Sequence, residues 1–289
     1  MRLARGGLRR LGLDLRRIDT DLPLVPTWFQ GFDPATAPCR DDVHDGLTFH
    51  YVAPSMANRA HTPARLGYRR ARRGDDQRLK YLVYYLDVRD LRVLELGPFE
   101  AHHTIVLDKL GAREIVLLEG REENLAKCRW VCQRYGIDGA RSFLCNIEDV
   151  YEGRVPMPVE GGFDLVFNVG WLYHVPDPGR ALTWCRSIGS RLFLGTHYVE
   201  PAARALYRSP DETYEFLGHS YRAKRVSDGD LSDPLAGLSS YSTWLYEPDL
   251  VRLLKQAGYR RVDVLGRDLQ AGLPHITILA SGDDPEPSA

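Results

Sequence analysis

The chain has 289 residues, 44% of them hydrophobic and 27% charged, which is enough apolar material for a sizeable core and excludes a wholly disordered chain. Lys and Arg total 38 against 39 Asp and Glu, so the net charge of -1 leaves no global electrostatic drive toward nucleic acid. The five cysteines, Cys39, Cys128, Cys132, Cys145 and Cys185, form no Cys-x-x-Cys pair and no even framework; their spacing points to reduced thiols in a cytoplasmic compartment and to no metal site.

The opening MRLARGGLRRLGLDLRRID alternates arginine with leucine but has no apolar run long enough for a signal peptide or a spanning helix. Gly6, Gly7 and Gly12 weaken a helix there, so the segment reads as a solvated arm. The alternative is a basic amphipathic helix lying on an anionic membrane surface or a partner. Residues 1–87 lack strand–helix alternation and are assigned to this arm and a helical cap. The cap ends in a segment that places Leu79, Leu82, Val83 and Leu86 at helical spacing.

From Arg92 onward, short apolar runs alternate with helical stretches: RVLEL, EIVLLE, RSFLC, FDLVFN, RLFLGT, then RRVDVL and HITILA. This alternation predicts an α/β fold over residues 88–281, a mostly parallel Rossmann-like sheet with helices on both faces. Residues 199–246 interrupt it with a stretch rich in Tyr, Ser and Arg, and an insertion of that length predicts a lid or substrate-binding segment. EPDLVRLLKQAGY then resumes as a helix, with Glu247 and Asp249 in its first turn and Gly258 at its end. Residues 282–289 are polar and acidic and are expected to be a disordered tail.

In an open parallel sheet, ligands bind beyond the carboxyl ends of the strands. After RVLEL the loop is Gly97-Pro98-Phe99-Glu100-Ala101, and the next glycine after Gly97 is Gly111, so the GxGxxG fingerprint is absent. Gly97 permits close backbone approach, while Pro98 fixes the turn without an amide donor. A pyrophosphate would meet bulk and the charge of Glu100, which disfavours NAD, FAD and ATP. S-adenosylmethionine has a sulfonium and no phosphate, and meets neither obstacle. Glu95 can contact its amino group. Glu119, followed by Gly120, ends the second strand, where an acceptor-only carboxylate suits a ribose diol. Asn146, Ile147 and Glu148 follow the third strand and can bracket an adenine; Asn168, Val169 and Gly170 end the fourth, near the methyl donor.

On LELGPFEA with Glu119, FDLVFNVGWLYHVPDP, LFLGTHY, AGYRRV and HITILA, the chain resembles the class I S-adenosylmethionine-dependent methyltransferases, from Leu91 to Ala280. The resemblance implies a seven-stranded sheet with an antiparallel last strand and, as activity, methyl transfer to a small-molecule acceptor, with O-methylation of a sugar or a secondary-metabolite intermediate as the leading reading. GPFEA departs from the usual GxGxG and is similar to a Gly-Pro-Leu-Glu-Gly variant within the superfamily. His174, His197 and Tyr198 lie after strands four and five, where an imidazole can take a proton from an attacking hydroxyl. The alternative for each is a structural hydrogen bond. His103 opens the helix beside the loop and is a candidate for the cofactor's carboxylate, or else a capping residue. Tyr173, Tyr214, His219, Tyr221, Arg222 and Trp244 are candidates for an acceptor pocket, against the alternative of packing the insertion onto the core. Two other functions stay open. One is modification of the tRNA wobble uridine, since LYH and His103 are also similar to such transferases and Arg65 to Arg78 could form a basic patch. The other is a scaffold that kept the fold and lost the cofactor.

Overall fold

The computed structural model describes residues 43–49, 76–207, 209–270 and 272–282. The basic arm, most of the expected cap, including Arg65, and the acidic tail lie outside the described residues. Ahead of the core stand a two-stranded hairpin, Val43–His44 with Leu47–Thr48, and helix α1, Gln77–Tyr85. α1 begins where the Asp76 side chain accepts the Arg78 N–H, and it buries Leu82 and Leu86, two of the four positions whose spacing predicts it.

The core then runs β1 Arg92–Leu96, α2 His102–Lys109, β2 Glu114–Glu119, α3 Glu122–Tyr135, β3 Ala140–Leu144, α4 Ile147–Tyr151, β4 Leu165–Val169, α5 Pro178–Ile188 and β5 Arg191–His197. Three further strands follow: β6 Asp211–Phe216, β7 His219–Ser227 and β8 Tyr241–Leu245. The chain closes with α6 Glu247–Gln256, β9 Arg261–Gln270 and β10 Leu273–Ser281. The main sheet has the order β9-β10-β5-β4-β1-β2-β3. β1 to β5 are mutually parallel, and β10 is antiparallel to both β5 and β9, as expected for the last strand. Strand order reverses between β1 and β4, which makes their carboxyl ends the switch point of the sheet.

Side-chain alternation divides the interior into two cores. On one face Val93, Leu117, Phe167 and Phe193 pack with Leu82 of α1, Ile105 of α2 and Val131 of α3. On the other, Leu94, Leu118, Val166 and Leu194 pack with Leu182 and Cys185 of α5 and Leu253 and Leu254 of α6. The same alternation decides which polar residues at the strand ends can meet.

The insertion is not an irregular loop. β6, β7 and β8 form an antiparallel sheet of order β8-β7-β6, with β6 and β7 joined at Leu217-Gly218, both at positive φ (48° and 76°). A two-residue loop with positive φ at both positions matches the right-handed twist of a hairpin. The period-two pattern of Tyr214, Phe216, Tyr221 and Ala223 carries this signal, which a reading by composition passes over.

Candidate functional site

The loop after β1 solves its missing-glycine problem by strain. Gly97, Phe99 and Ala101 all lie in the left-handed region, at φ 60°, 57° and 57°. That alternate spacing is the one a GxGxG loop fills with glycines. For Phe99 and Ala101 the conformation costs about 1–2 kcal/mol each, and it is held by hydrogen bonds: Gly97 N–H to the Leu118 carbonyl (3.0 Å), Ala101 N–H to the Pro98 carbonyl (2.9 Å) and Phe99 N–H to Glu119 Oε2 (3.1 Å). Ala101→Gly is expected to leave stability within about 1 kcal/mol of the parent. Relief of the left-handed strain is offset by loss of a buried methyl worth about 0.8 kcal/mol. Urea denaturation checks this, and a loss above about 2 kcal/mol would show that the alanine methyl, not the backbone, governs the turn.

Glu100 does not face a ligand. Its carboxylate is fully buried and turned back to Lys127 Nζ at 3.3 Å, itself fully buried. The charge expected to repel a pyrophosphate is therefore neutralised beneath the loop, and only the bulk of Phe99 and the lack of glycines disfavour phosphates there.

Two carboxylates end adjacent strands on the face toward α2. Glu95 is 2% exposed; Oε2 accepts the Thr104 hydroxyl at 2.6 Å, while Oε1 is buried without a hydrogen-bond partner. Burial pushes its pKa up to about 7, opposed by the Thr104 hydrogen bond and assisted by the nearby Glu119 charge. Glu119 is 6% exposed, and Oε1 accepts the Arg121 N–H at 2.9 Å while Oε2 takes Phe99. Burial raises its pKa against the pull of these amides.

Beyond β3, the Asn146 side chain accepts the Glu148 N–H at 3.1 Å and so caps α4. Ile147 is buried in the core, and the Glu148 carboxylate takes the Ser239 hydroxyl (3.0 and 2.9 Å). At the end of β4, Asn168 points to the α5 side, and its Oδ1 accepts the Leu172 N–H at 3.2 Å, which holds the turn. Val169 packs in the other core, and Gly170, at φ 106°, bonds the Gly195 carbonyl (3.1 Å). His103 is tied to Asp76 (3.0 Å), which also holds Arg78 (2.6 Å), so the helix-opening histidine anchors the start of α1. Burial holds the His103 pKa below its ordinary value.

An aromatic cluster stands past β4 and β5. The Tyr173 ring lies 4.4 Å from His174 and 4.5 Å from His197, and His197 stacks on Trp244 at 4.9 Å. Trp244 donates its indole N–H to the Tyr173 carbonyl (2.7 Å). His197 donates Nδ1–H to the Pro274 carbonyl at 3.0 Å, and burial holds it neutral, well below its ordinary pKa.

No family model matches the chain. A ubiquinone biosynthesis O-methyltransferase of Xanthomonas euvesicatoria pv. vesicatoria (strain 85-10) is 27% identical over 192 residues, 65% of this chain and 71% of that protein. Among solved structures, the N-terminal domain of EvdMO1 with SAH bound has a TM-score of 0.57 and 27% identity, covering 71% of this chain and 81% of that one. The same domain in the presence of SAH and D-fucose also has a TM-score of 0.57 and 27% identity, over 75% and 88% of the two chains. The chain belongs to the class I S-adenosylmethionine-dependent methyltransferase superfamily.

Within this methyltransferase the structure brings together Tyr173, His174, His197 and Trp244, but not the other residues expected beside them. Tyr198 follows His197 in sequence, so alternation sends it to the opposite core, where its hydroxyl donates to Glu200 (3.2 Å). Tyr214 bonds Asp177 and accepts the Gly179 N–H (2.9 Å) at the start of α5. Tyr221 is buried beneath Arg252, Arg222 pairs with Asp249 of α6 (3.0 Å), and His219 is exposed at the end of the β6–β7 hairpin. These four fasten the inserted sheet to α5 and α6 or face solvent, which corrects their assignment to an acceptor pocket.

Three other groups join the site. Trp171 covers the loop, since a Cβ on Gly97 would lie 3.2 Å from its Cβ. Arg78 and His275 close on Gly195, where an added Cβ would lie 3.3 and 3.2 Å from them. The stretch from Asp228 to Ser240 forms a strap across the edge of the site. Arg121 donates to the carbonyls of Ala236 (3.1 Å) and Gly237 (2.8 Å), and Asn124 to that of Pro234 (3.0 Å). Leu238 sits so close to Gly120 that a Cβ there would meet it at 2.6 Å. Trp171 had a local signal, being next to Gly170 in the turn already singled out. The strap had none.

Proposed function

We propose that this methyltransferase binds S-adenosylmethionine across the carboxyl ends of β1, β2 and β3 and methylates an oxygen of a small molecule, a sugar or a secondary-metabolite intermediate. The observation that carries the reading is the pair Glu95 and Glu119. The unpartnered, buried Oε1 of Glu95 suits the amino group of the cofactor's methionine end. Glu119, its orientation fixed by two backbone amides, suits the ribose diol. Gly97 gives the close approach, and Gly120 and Glu148 border the place for the adenine. When bound, the cofactor supplies an electrophilic methyl group on a sulfonium.

Tyr173, His174, His197 and Trp244 form the acceptor side in this reading. His197 presents a neutral ring whose Nδ1–H is already committed, so its Nε2 can accept a hydrogen bond from the acceptor molecule. His174 would take the proton that the acceptor hydroxyl gives up, while the methyl carbon's bond to sulfur breaks and the sulfonium is left as a neutral thioether. Much of the rate comes from holding donor and acceptor in line, with the base assisting. An oxygen acceptor agrees with the O-methyltransferase name of the bacterial relative, and a sugar with the D-fucose present with the EvdMO1 domain.

Against the tRNA reading, Arg78 is buried and paired with Asp76, so the proposed basic run loses its described end. Calorimetric titration with S-adenosylhomocysteine tests the proposal, with NAD as the control. Micromolar binding of the first and none of the second is expected, followed by turnover with a panel of hydroxylated sugars monitored by S-adenosylhomocysteine release. Absence of binding to the intact protein would favour the scaffold.

A further inference from the structure

We infer that Asp228, carried by the strap, is a positioning residue that fixes His174 with Nδ1 protonated and Nε2 open for the acceptor proton. The inference rests on the acceptor side assigned above and adds to it a group that lies 54 positions away in sequence.

His174 ends the 3-10 turn Leu172–His174, and its Nδ1 lies 2.7 Å from Asp228 Oδ1, with the two side chains 19% and 10% exposed. A carboxylate only accepts, so at this distance Nδ1 must carry the hydrogen, and in the neutral ring the lone pair falls on Nε2. Among the described residues, that nitrogen has no hydrogen-bond partner. The protonation pattern needed to accept a proton from a hydroxyl is therefore imposed by Asp228.

The carboxylate is itself held. Its second oxygen, Oδ2, accepts the Gly237 N–H at 3.0 Å, and its backbone N–H bonds the Ser240 carbonyl at 3.3 Å, closing the base of the strap. Gly237 must be glycine for this: a Cβ would come within 2.1 Å of Asp228 Oδ2 and 2.8 Å of His174 Cβ. The strap's far side is seated on the core by Arg121 and Asn124 and by Ser239 on Glu148. Asp228 thus has both oxygens committed and no freedom to turn. The groups facing the imidazole are Asp228, Tyr173 and, through Tyr173, His197.

Histidine-selective 15N labelling and long-range 1H–15N correlation spectra of the full chain, with and without S-adenosylhomocysteine, test this. The wild type is expected to show neutral His174 as the Nδ1–H form. In Asp228→Asn the amide oxygen is claimed by the Gly237 N–H, leaving the NH2 group facing Nδ1. The ring is then expected to switch to the Nε2–H form, with Nδ1 accepting from that NH2 group. Affinity for S-adenosylhomocysteine should stay within about threefold, because no cofactor contact is removed. Ser239→Ala loosens the strap without touching the pair and should leave the Nδ1–H form in place, which separates positioning from a merely structural role. An Nε2–H wild type, or an Asp228→Asn spectrum unchanged while S-adenosylhomocysteine still binds, overturns the inference alone. Failure of the wild type to bind S-adenosylhomocysteine overturns the cofactor reading and the inference together.

Discussion

Glu119→Ala is expected to weaken S-adenosylhomocysteine binding by about a hundredfold or more. Hydrogen bonds to a charged group contribute about 1.5–3 kcal/mol each, and a diol donates two, so about 3 kcal/mol is the lower bound, two decades in Kd. The carboxylate also aims two backbone donors, the Phe99 and Arg121 N–H groups, and alanine leaves both without that partner in a buried corner. The Phe99 bond matters most, because it ties the left-handed loop to the end of β2. Part of the lost affinity will therefore come from a loosened loop, and a fall in Tm should accompany it. Glu119→Gln separates the two effects. It keeps one oxygen for an amide and the side-chain volume but loses the charge and one acceptor, so an intermediate loss, about tenfold, is expected with a smaller drop in Tm. Calorimetric titration of the three proteins decides the matter. If Glu119→Ala binds within about threefold of the parent, the ribose is not held at the end of β2.

The sheet was legible because its strands are continuous apolar runs separated by helical stretches, a pattern set by burial on both faces. The ends of β1 and β2 were legible for the same reason: Glu95 and Glu119 are the first polar residues to follow such runs, so their place on the sheet follows from counting. The loop was half legible. The absence of glycines was plain in GPFEA, but that Phe99 and Ala101 would adopt the glycine conformation depends on hydrogen bonds from β2 and is not a local property. The direction of Glu100 is not legible in the sequence because Lys127, its partner, lies a helix away. At the acceptor side, adjacency in sequence misled. His197 and Tyr198 are neighbours in sequence, and strand alternation puts them on opposite faces of the sheet. The inserted tyrosines and Arg222 had the composition of a pocket, yet they fasten a small sheet to α5 and α6. Asp228 could not have been found, since nothing around it marks a contact with His174.

Affinity for S-adenosylhomocysteine is expected to fall about tenfold for each pH unit below about 7 and to level off above it, because Glu95 must lose a proton to meet the ligand's ammonium. In the ligand-free protein its pKa is pushed up from the ordinary 4.5 to about 7, first by burial and then by the Glu119 charge, with the Thr104 hydroxyl pulling the other way. For stability the sign is that of an acid whose folded value is raised. The folded state binds the proton more tightly than the unfolded chain, so this group's contribution is fully present below about pH 4.5 and is lost as pH rises through 7. The window spans roughly 2.5 units, about 3 kcal/mol at most. Ligand binding runs against it. A positive amino group beside the unpartnered Oε1 stabilises the carboxylate, so below pH 7 each molecule bound should release close to one proton, and stabilisation by ligand should grow as pH rises. Titrations from pH 5.5 to 8.5 in two buffers of different protonation enthalpy give both the slope and the proton count. Glu95→Gln should flatten the profile, release no proton and bind more weakly at pH 8, where the parent carboxylate is charged. A parent profile flat across the range with no proton released would place the amino group elsewhere and leave the raised pKa a consequence of burial alone.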